Sequence, residues 1–142
     1  MKKEKRVMAL HFELASPEKL LFSGDVEQVD VPGAEGDFGV LEGHAPLVAT
    51  IRPGILVVHG GGDKQRIVVL GGFAEVSEKG LTIVADLADS VEDFDQTVLA
   101  TQMAELEQKI AKTEPGSALD KLVTRLDHFK QVHHHLQGTA LH

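Results

Sequence analysis

The chain has 142 residues, 42 % hydrophobic and 25 % charged, which suits one ordinary domain, or one small domain with an appendage, and is too apolar for a disordered chain. A net charge of −8 without a basic stripe, and the lack of Tyr and Trp as stacking platforms, argue against nucleic acid as a partner. With no Cys, disulfide scaffolds and Cys-based zinc sites are excluded.

Met1-Lys2-Lys3-Glu4-Lys5-Arg6 begins like a signal peptide, but His11, Glu13 and Glu18 interrupt the apolar stretch that should follow. The expectation is a solvated lead-in, with Met8 as an alternative start, on a cytoplasmic protein. The longest apolar runs, Gly54–Val58 and Ile67–Leu70, are strand-sized. A membrane span needs about 20 residues, so a soluble chain without direct membrane insertion is expected.

Up to about residue 92 the pattern has a period of two. Leu10, Phe12 and Leu14 alternate with His11 and Glu13, and Val29 and Val31 alternate with Gln28 and Asp30. Val26 is out of phase, which predicts a bulge near Glu27. Separate strands are predicted over Leu47–Ile51, Ile55–His59, Arg66–Leu70, Ala74–Val76 and Leu81–Ala85. Gly60-Gly61-Gly62-Asp63 and Glu78-Lys79-Gly80 read as turns between them. Many short strands with glycine turns predict a β-sandwich or barrel. Gly33–Gly43 reads as a glycine-hinged surface loop. Its Phe38, Val40 and Leu41 suit a contact surface, or, for Phe38 and Leu41, an inward plug at the end of the sandwich.

The rest of the chain reads in threes and fours. Asp93 with Gln96 predicts a capping box, and Leu99, Met103, Leu106 and Ile110 form one apolar helix face. Glu114-Pro115-Gly116 ends that helix, and Ser117 with Asp120 predicts a second capping box. Leu119, Leu122, Leu126, Phe129, His133 and Leu136 then form a seam, with a frayed tail from Gly138 to His142. The fold class is therefore α+β: an N-terminal β-sandwich, residues 8–92, followed by a C-terminal antiparallel two-helix hairpin, residues 93–137. A hairpin of that size has too little core to be firm alone and should pack on something else.

Motifs for chemistry are scarce. A P-loop, a dinucleotide-binding glycine turn and a nucleophile elbow are all missing. His133, His134 and His135 are consecutive, so on a helix they point about 100° apart and do not converge on one metal ion. The Asp86, Asp89, Glu92, Asp93 and Asp95 cluster lacks the Gly and Glu of a calcium loop and reads as capping and solvation. Glu35 and Asp37 lack an apolar pocket to raise either pKa, so binding or solvation suits them better than acid–base work in a hydrolase. No catalytic residue, metal or cofactor is expected.

The stretch Pro32-Gly33-Ala34-Glu35-Gly36-Asp37-Phe38-Gly39-Val40-Leu41-Glu42-Gly43-His44-Ala45-Pro46-Leu47 resembles the signature of the epsilon subunits of bacterial F-type ATP synthases. The likeness continues at Ile51-Arg52-Pro53-Gly54, Gly71–Val76 and Thr82–Asp86, with Ser16-Pro17-Glu18 and Leu21-Phe22-Ser23-Gly24 similar to the family's first hairpin. It covers about residues 8 to 136.

The resemblance implies a non-catalytic rotor-stalk subunit of a proton-transporting ATP synthase, peripheral on the cytoplasmic face of the inner membrane. Its sandwich would couple the gamma subunit to the c-ring during proton-driven ATP synthesis. It assigns Glu35, Asp37, Phe38, Gly43 and His44 to the c-ring interface. The hairpin would be regulatory, reaching the alpha and beta subunits. The alternative implied function is a nucleotide-sensing inhibitor of ATP hydrolysis within the same complex. The family's nucleotide motif, Ile/Leu-Asp-x-x-Arg-Ala, aligns with Phe94-Asp95-Gln96-Thr97-Val98-Leu99. Asp95 is kept, but Val98 replaces the Arg and Leu99 the Ala, so no nucleotide site is expected. The hairpin is slightly acidic, which disfavours attraction to acidic loops of a catalytic head.

Overall fold

The computed structural model describes residues 9–140, with side chains through residue 138, so the reading of the first residues as a lead-in lies outside them. Two compact units meet between Ser90 and Val91. The first holds eight strands: β1 (Leu10–Ala15), β2 (Leu20–Val26), β3 (Gln28–Gly33), β4 (Gly36–Leu41), β5 (Leu47–Gly60), β6 (Asp63–Ser77), β7 (Gly80–Ala85) and β8 (Ala88–Ser90). The second holds the helices α1 (Gln96–Lys112) and α2 (Ser117–Ala140).

Hydrogen-bonded order runs β2-β1-β7-β6-β5-β3-β4, with β8 on β6. Long strands make this a sandwich. The first part of β5 pairs with the last part of β6, Leu47 with Val76 through Ile51 with Gly72. Pairing resumes at Pro53 with Leu70, leaving Arg52 and Gly71 outside the ladder. Both strands thus cross from one layer to the other. The four expected strands are two, because Pro53-Gly54 and Gly71-Gly72 bend the chain without ending it. At Gly72, φ is +137° and a Cβ would overlap the Val84 carbonyl oxygen. Only glycine fits this corner.

The expected bulge near Glu27 is instead the joint between β2 and β3. β2 pairs with β1, β3 pairs with β4 and β5, and the Glu27 N–H donates to the His59 carbonyl. The phase break in the sequence is a change of layer. Gly61 and Gly62 form the two-residue β5–β6 turn with φ of +60° and +85°, the positive values such hairpins require.

The Gly33–Gly43 stretch is mostly a strand, not a loop. Pro32 and Gly33 close β3, Ala34-Glu35 turn, and Gly36–Leu41 pair back as β4. Glycines at 36 and 39 hide the alternation that carries Phe38 and Val40 inward. Val40 is fully buried, Phe38 is half-buried against the core, and Leu41 is exposed. The core between the layers is built from Leu10, Phe12, Leu14, Val29, Val31, Leu56, Val69, Leu81 and Ile83, with the Phe12 and Phe22 rings 5.4 Å apart.

In the second unit, Asp95, not Asp93, caps α1, its Oδ1 accepting from the Thr97 N–H at 2.9 Å and the Thr97 hydroxyl at 2.7 Å. Phe94 and Leu99, in the two positions of a hydrophobic staple, are both buried. Ser117 is the first helical residue rather than a cap, and the Asp120 N–H donates to Gly116 O. Gln137 Nε2 donates to Gln96 Oε1 at 3.4 Å, so the end of α2 lies beside the start of α1 and the helices are antiparallel. Leu126, Phe129, Val132 and Leu136 are buried on α2, while His133 is exposed. A helix with 3.6 residues per turn brings both 132 and 133 near the seam, and the apolar side chain takes the inward place. The helix continues to Ala140, past the expected boundary at residue 137 and into the expected tail.

Candidate functional site

The β3–β4 hairpin holds part of the expected contact set. Glu35 is exposed at its tip. Asp37 is exposed on the first residues of β4, and its Oδ1 accepts from Arg52 Nη2 at 2.6 Å. Arg52 Nη1 also donates to Gly33 O at 2.6 Å. Gly33 has no room for a side chain, since a Cβ would lie 2.5 Å from Gly36 O and 2.9 Å from the Phe38 ring. A concavity of about 490 Å³ lies between this hairpin and Leu47–Thr50.

Gly43 and His44 lie past the other end of β4, roughly 17 Å away at about 3.3 Å per strand residue. Gly43 has φ of +87°, and His44 Nδ1 is 2.7 Å from the Ala45 carbonyl oxygen, to which it donates. They line a separate concavity of about 370 Å³ with His11, Asp25 and Lys79. The structure therefore brings Glu35, Asp37 and Phe38 together and leaves Gly43 and His44 apart from them. Neighbours in sequence separate because a strand intervenes.

A second surface was not foreseen. On the outer face of the β2-β1-β7-β6-β5 layer, the register places Thr50, Phe73, Val84, Ala15 and Leu20 in one row across the strands. Phe73 is 61 %, Val84 41 % and Leu20 58 % exposed, and Val48 beside them is 71 % exposed. Single exposed apolar residues need no explanation, but a continuous row does. The signal was present in the sequence: Phe73 interrupts the apolar-in, polar-out alternation of Ala74, Glu75 and Val76.

Electrostatics on the sandwich are local. His11 is held between carboxylates, 3.1 Å from Glu13 and 3.2 Å from Asp25. Hydrogen bonds to Glu13 and then Asp25 raise its pKa above the ordinary histidine value. On the other layer, Asp30 accepts from His59 at 2.7 Å and from Gln28 at 2.6 Å. Partial burial pushes the Asp30 pKa up, but the bonds from His59 and Gln28 outweigh it and the net shift is downward. Asp95 is also lowered, by the Thr97 hydroxyl and then the Thr97 N–H. Its carboxylate is committed to the helix cap.

Among the described residues, none of the buried side chains is polar or charged, and no group of His, Asp and Glu is arranged to hold a metal. Among the described residues, no helix is long and apolar enough to cross a membrane. The surface features of the sandwich are thus an acidic hairpin pinned by Arg52 and an exposed apolar row.

Residues 9–91 match the family described as ATP synthase, Delta/Epsilon chain, beta-sandwich domain, which places the sandwich in that class. Relatives extend the match into the helices. The ATP synthase epsilon chain of Afipia carboxidovorans is 59 % identical over 93 % of this chain and 97 % of its own length. ATP synthase epsilon chain 1 of Nitrobacter hamburgensis is 62 % identical with the same coverage. The chain belongs to the ATP synthase epsilon-chain family, a non-catalytic subunit of that complex.

Solved structures share the fold. A chain of the Euglena gracilis mitochondrial ATP synthase, OSCP/F1/c-ring in rotational state 1, superposes with a TM-score of 0.68 at 29 % identity, covering 95 % of this chain and 82 % of that one. A chain from the Tetrahymena thermophila central stalk/c-ring shares the fold, with a TM-score of 0.52 at 13 % identity over 58 % of this chain and 67 % of that one.

Proposed function

We propose that the sandwich is a mechanical coupler that joins the gamma subunit to the c-ring on the cytoplasmic side of the membrane, so that rotor parts turn together during ATP synthesis. The observation that carries this reading is the exposed row Phe73–Val84–Ala15–Leu20, an apolar strip on an outer face whose next row, Glu75–Thr82–Glu13–Ser23, is polar. Such a strip gains free energy only when a partner covers it, and gamma is the partner assigned here. The β3–β4 hairpin is assigned to the polar loops of the c-ring, with Glu35 supplying the outward charge while Asp37, already bonded to Arg52, and the half-buried Phe38 shape the tip. Gly43 and His44, past the far end of β4, form a second, separate contact with the ring.

A mechanical role is favoured over a nucleotide-sensing one because Asp95 is occupied by Thr97 and position 98 holds a half-buried Val. Co-purification of tagged chain with gamma and c-ring tests the division of labour. Glu35→Lys should lose the ring and keep gamma, whereas Val84→Asp should lose gamma. Retention of both partners by both variants would remove the assignment.

A further inference from the structure

We infer that Arg52 is a positioning residue that locks the β3–β4 hairpin to the corner of the sandwich and so sets the stiffness of the ring contact. The inference rests on the reading of this hairpin as the ring-facing element.

Arg52 sits where β5 leaves one layer for the other, opposite Gly71 and outside the ladders to both β6 and β3. Its side chain is 21 % exposed, so most of the guanidinium stem is held in place. From there its fork reaches both strands of the hairpin, Nη1 to Gly33 O at the end of β3 and Nη2 to Asp37 Oδ1 at the start of β4, each at 2.6 Å. The bonds straddle the Ala34-Glu35 turn. A second tie runs from the Ala34 N–H to Thr50 O at 2.8 Å. Behind the hairpin, a Cβ at Gly54 would lie 2.7 Å from Pro32, so the corner and β3 are in close contact as well.

Two consequences follow. Asp37, although exposed, carries a charge already answered inside the chain. Glu35 has no such partner among the described residues, so it is the carboxylate this hairpin presents outward. A planar guanidinium with five fixed donors bridges a carbonyl and a carboxylate together, whereas an ammonium meets them as a point charge without that fork. Force applied at the tip passes through Arg52 into the bent strands β5 and β6, not through the turn alone.

The test uses the full chain and its reconstituted complex with gamma and c-ring. Backbone amide exchange at residues 33–37, ring affinity, gamma affinity and thermal midpoint are measured for Arg52→Gln, Arg52→Lys and Glu35→Gln. Arg52→Gln should speed exchange at the hairpin about 5- to 10-fold, as expected for losing an interaction of about one hydrogen bond. It should also weaken ring binding with gamma binding unchanged, and Arg52→Lys should recover part of both effects. Unchanged hairpin exchange in Arg52→Gln overturns the proposal. So does faster exchange with full ring affinity while Glu35→Gln weakens the ring, and in that case the ring-facing reading survives. If neither Glu35→Gln nor Arg52→Gln alters ring affinity, the ring-facing reading falls and the inference falls with it.

Discussion

Phe73→Ala should weaken binding to gamma about 30-fold while leaving the fold intact. Phe73 is 61 % exposed in the free chain. A Phe side chain buries about 150–250 Å² in full, so roughly 90–150 Å² remains for a partner to cover. At about 25 cal/mol per Å² that area is worth about 2–4 kcal/mol on complete burial. Alanine retains some of it, which leaves about 2 kcal/mol, or about 30-fold in Kd. The cost to the isolated chain should stay below about 1 kcal/mol, because the side chain contributes little but strand propensity there. Its neighbour Ala74 is only 1 % exposed and points into the core, so Ala74→Asp should unfold the sandwich instead. Titration calorimetry of wild type and Phe73→Ala against purified gamma, with circular dichroism for the fold, measures both quantities. A Kd within twofold of wild type, in a folded variant, would refute the assignment of this face to gamma.

Gly72→Ala should lower the thermal midpoint by more than about 10 °C, because a strained positive φ and overlap with Val84 O together cost at least about 3 kcal/mol. Thermal unfolding checks it, and a shift of a few degrees would mean that the corner relaxes. Asp30 has a folded pKa below its unfolded one, so its contribution is present above the ordinary Asp value near 4 and is lost as pH falls through the lowered one. Asp30→Asn should therefore flatten the acid limb of stability. His11 acts with the opposite sign: its raised pKa stabilises fully below about pH 6.5, and that contribution is lost as pH rises through the folded value. His11→Gln should flatten stability above about pH 6.5, read from urea midpoints across pH. ATP titrated into the isolated chain should show no saturation below millimolar, and saturation in the micromolar range would restore a nucleotide-sensing role.

Much of this was legible from local pattern. Alternation at Leu10–Leu14 and Leu81–Ala85, the Gly61-Gly62 turn and the helix break at Pro115-Gly116 each follow from chemistry within a few residues. So did the family, through the Gly-His-Ala-Pro stretch at Gly43–Pro46 and its surroundings. Local pattern failed where the neighbour that decides is distant in sequence. Whether Pro53-Gly54 ends a strand or bends it depends on Gly71-Gly72 bending beside it. Whether Asp37 faces a partner or an internal cation depends on Arg52, fifteen residues on. The apolar row exists only because the sheet register sets Phe73 beside Val84 and Val84 beside Ala15. The sequence by itself determined the two units, the periods within them and the family. Only the tertiary structure decided which side chains share a surface, because cross-strand pairing joins residues that the chain keeps far apart.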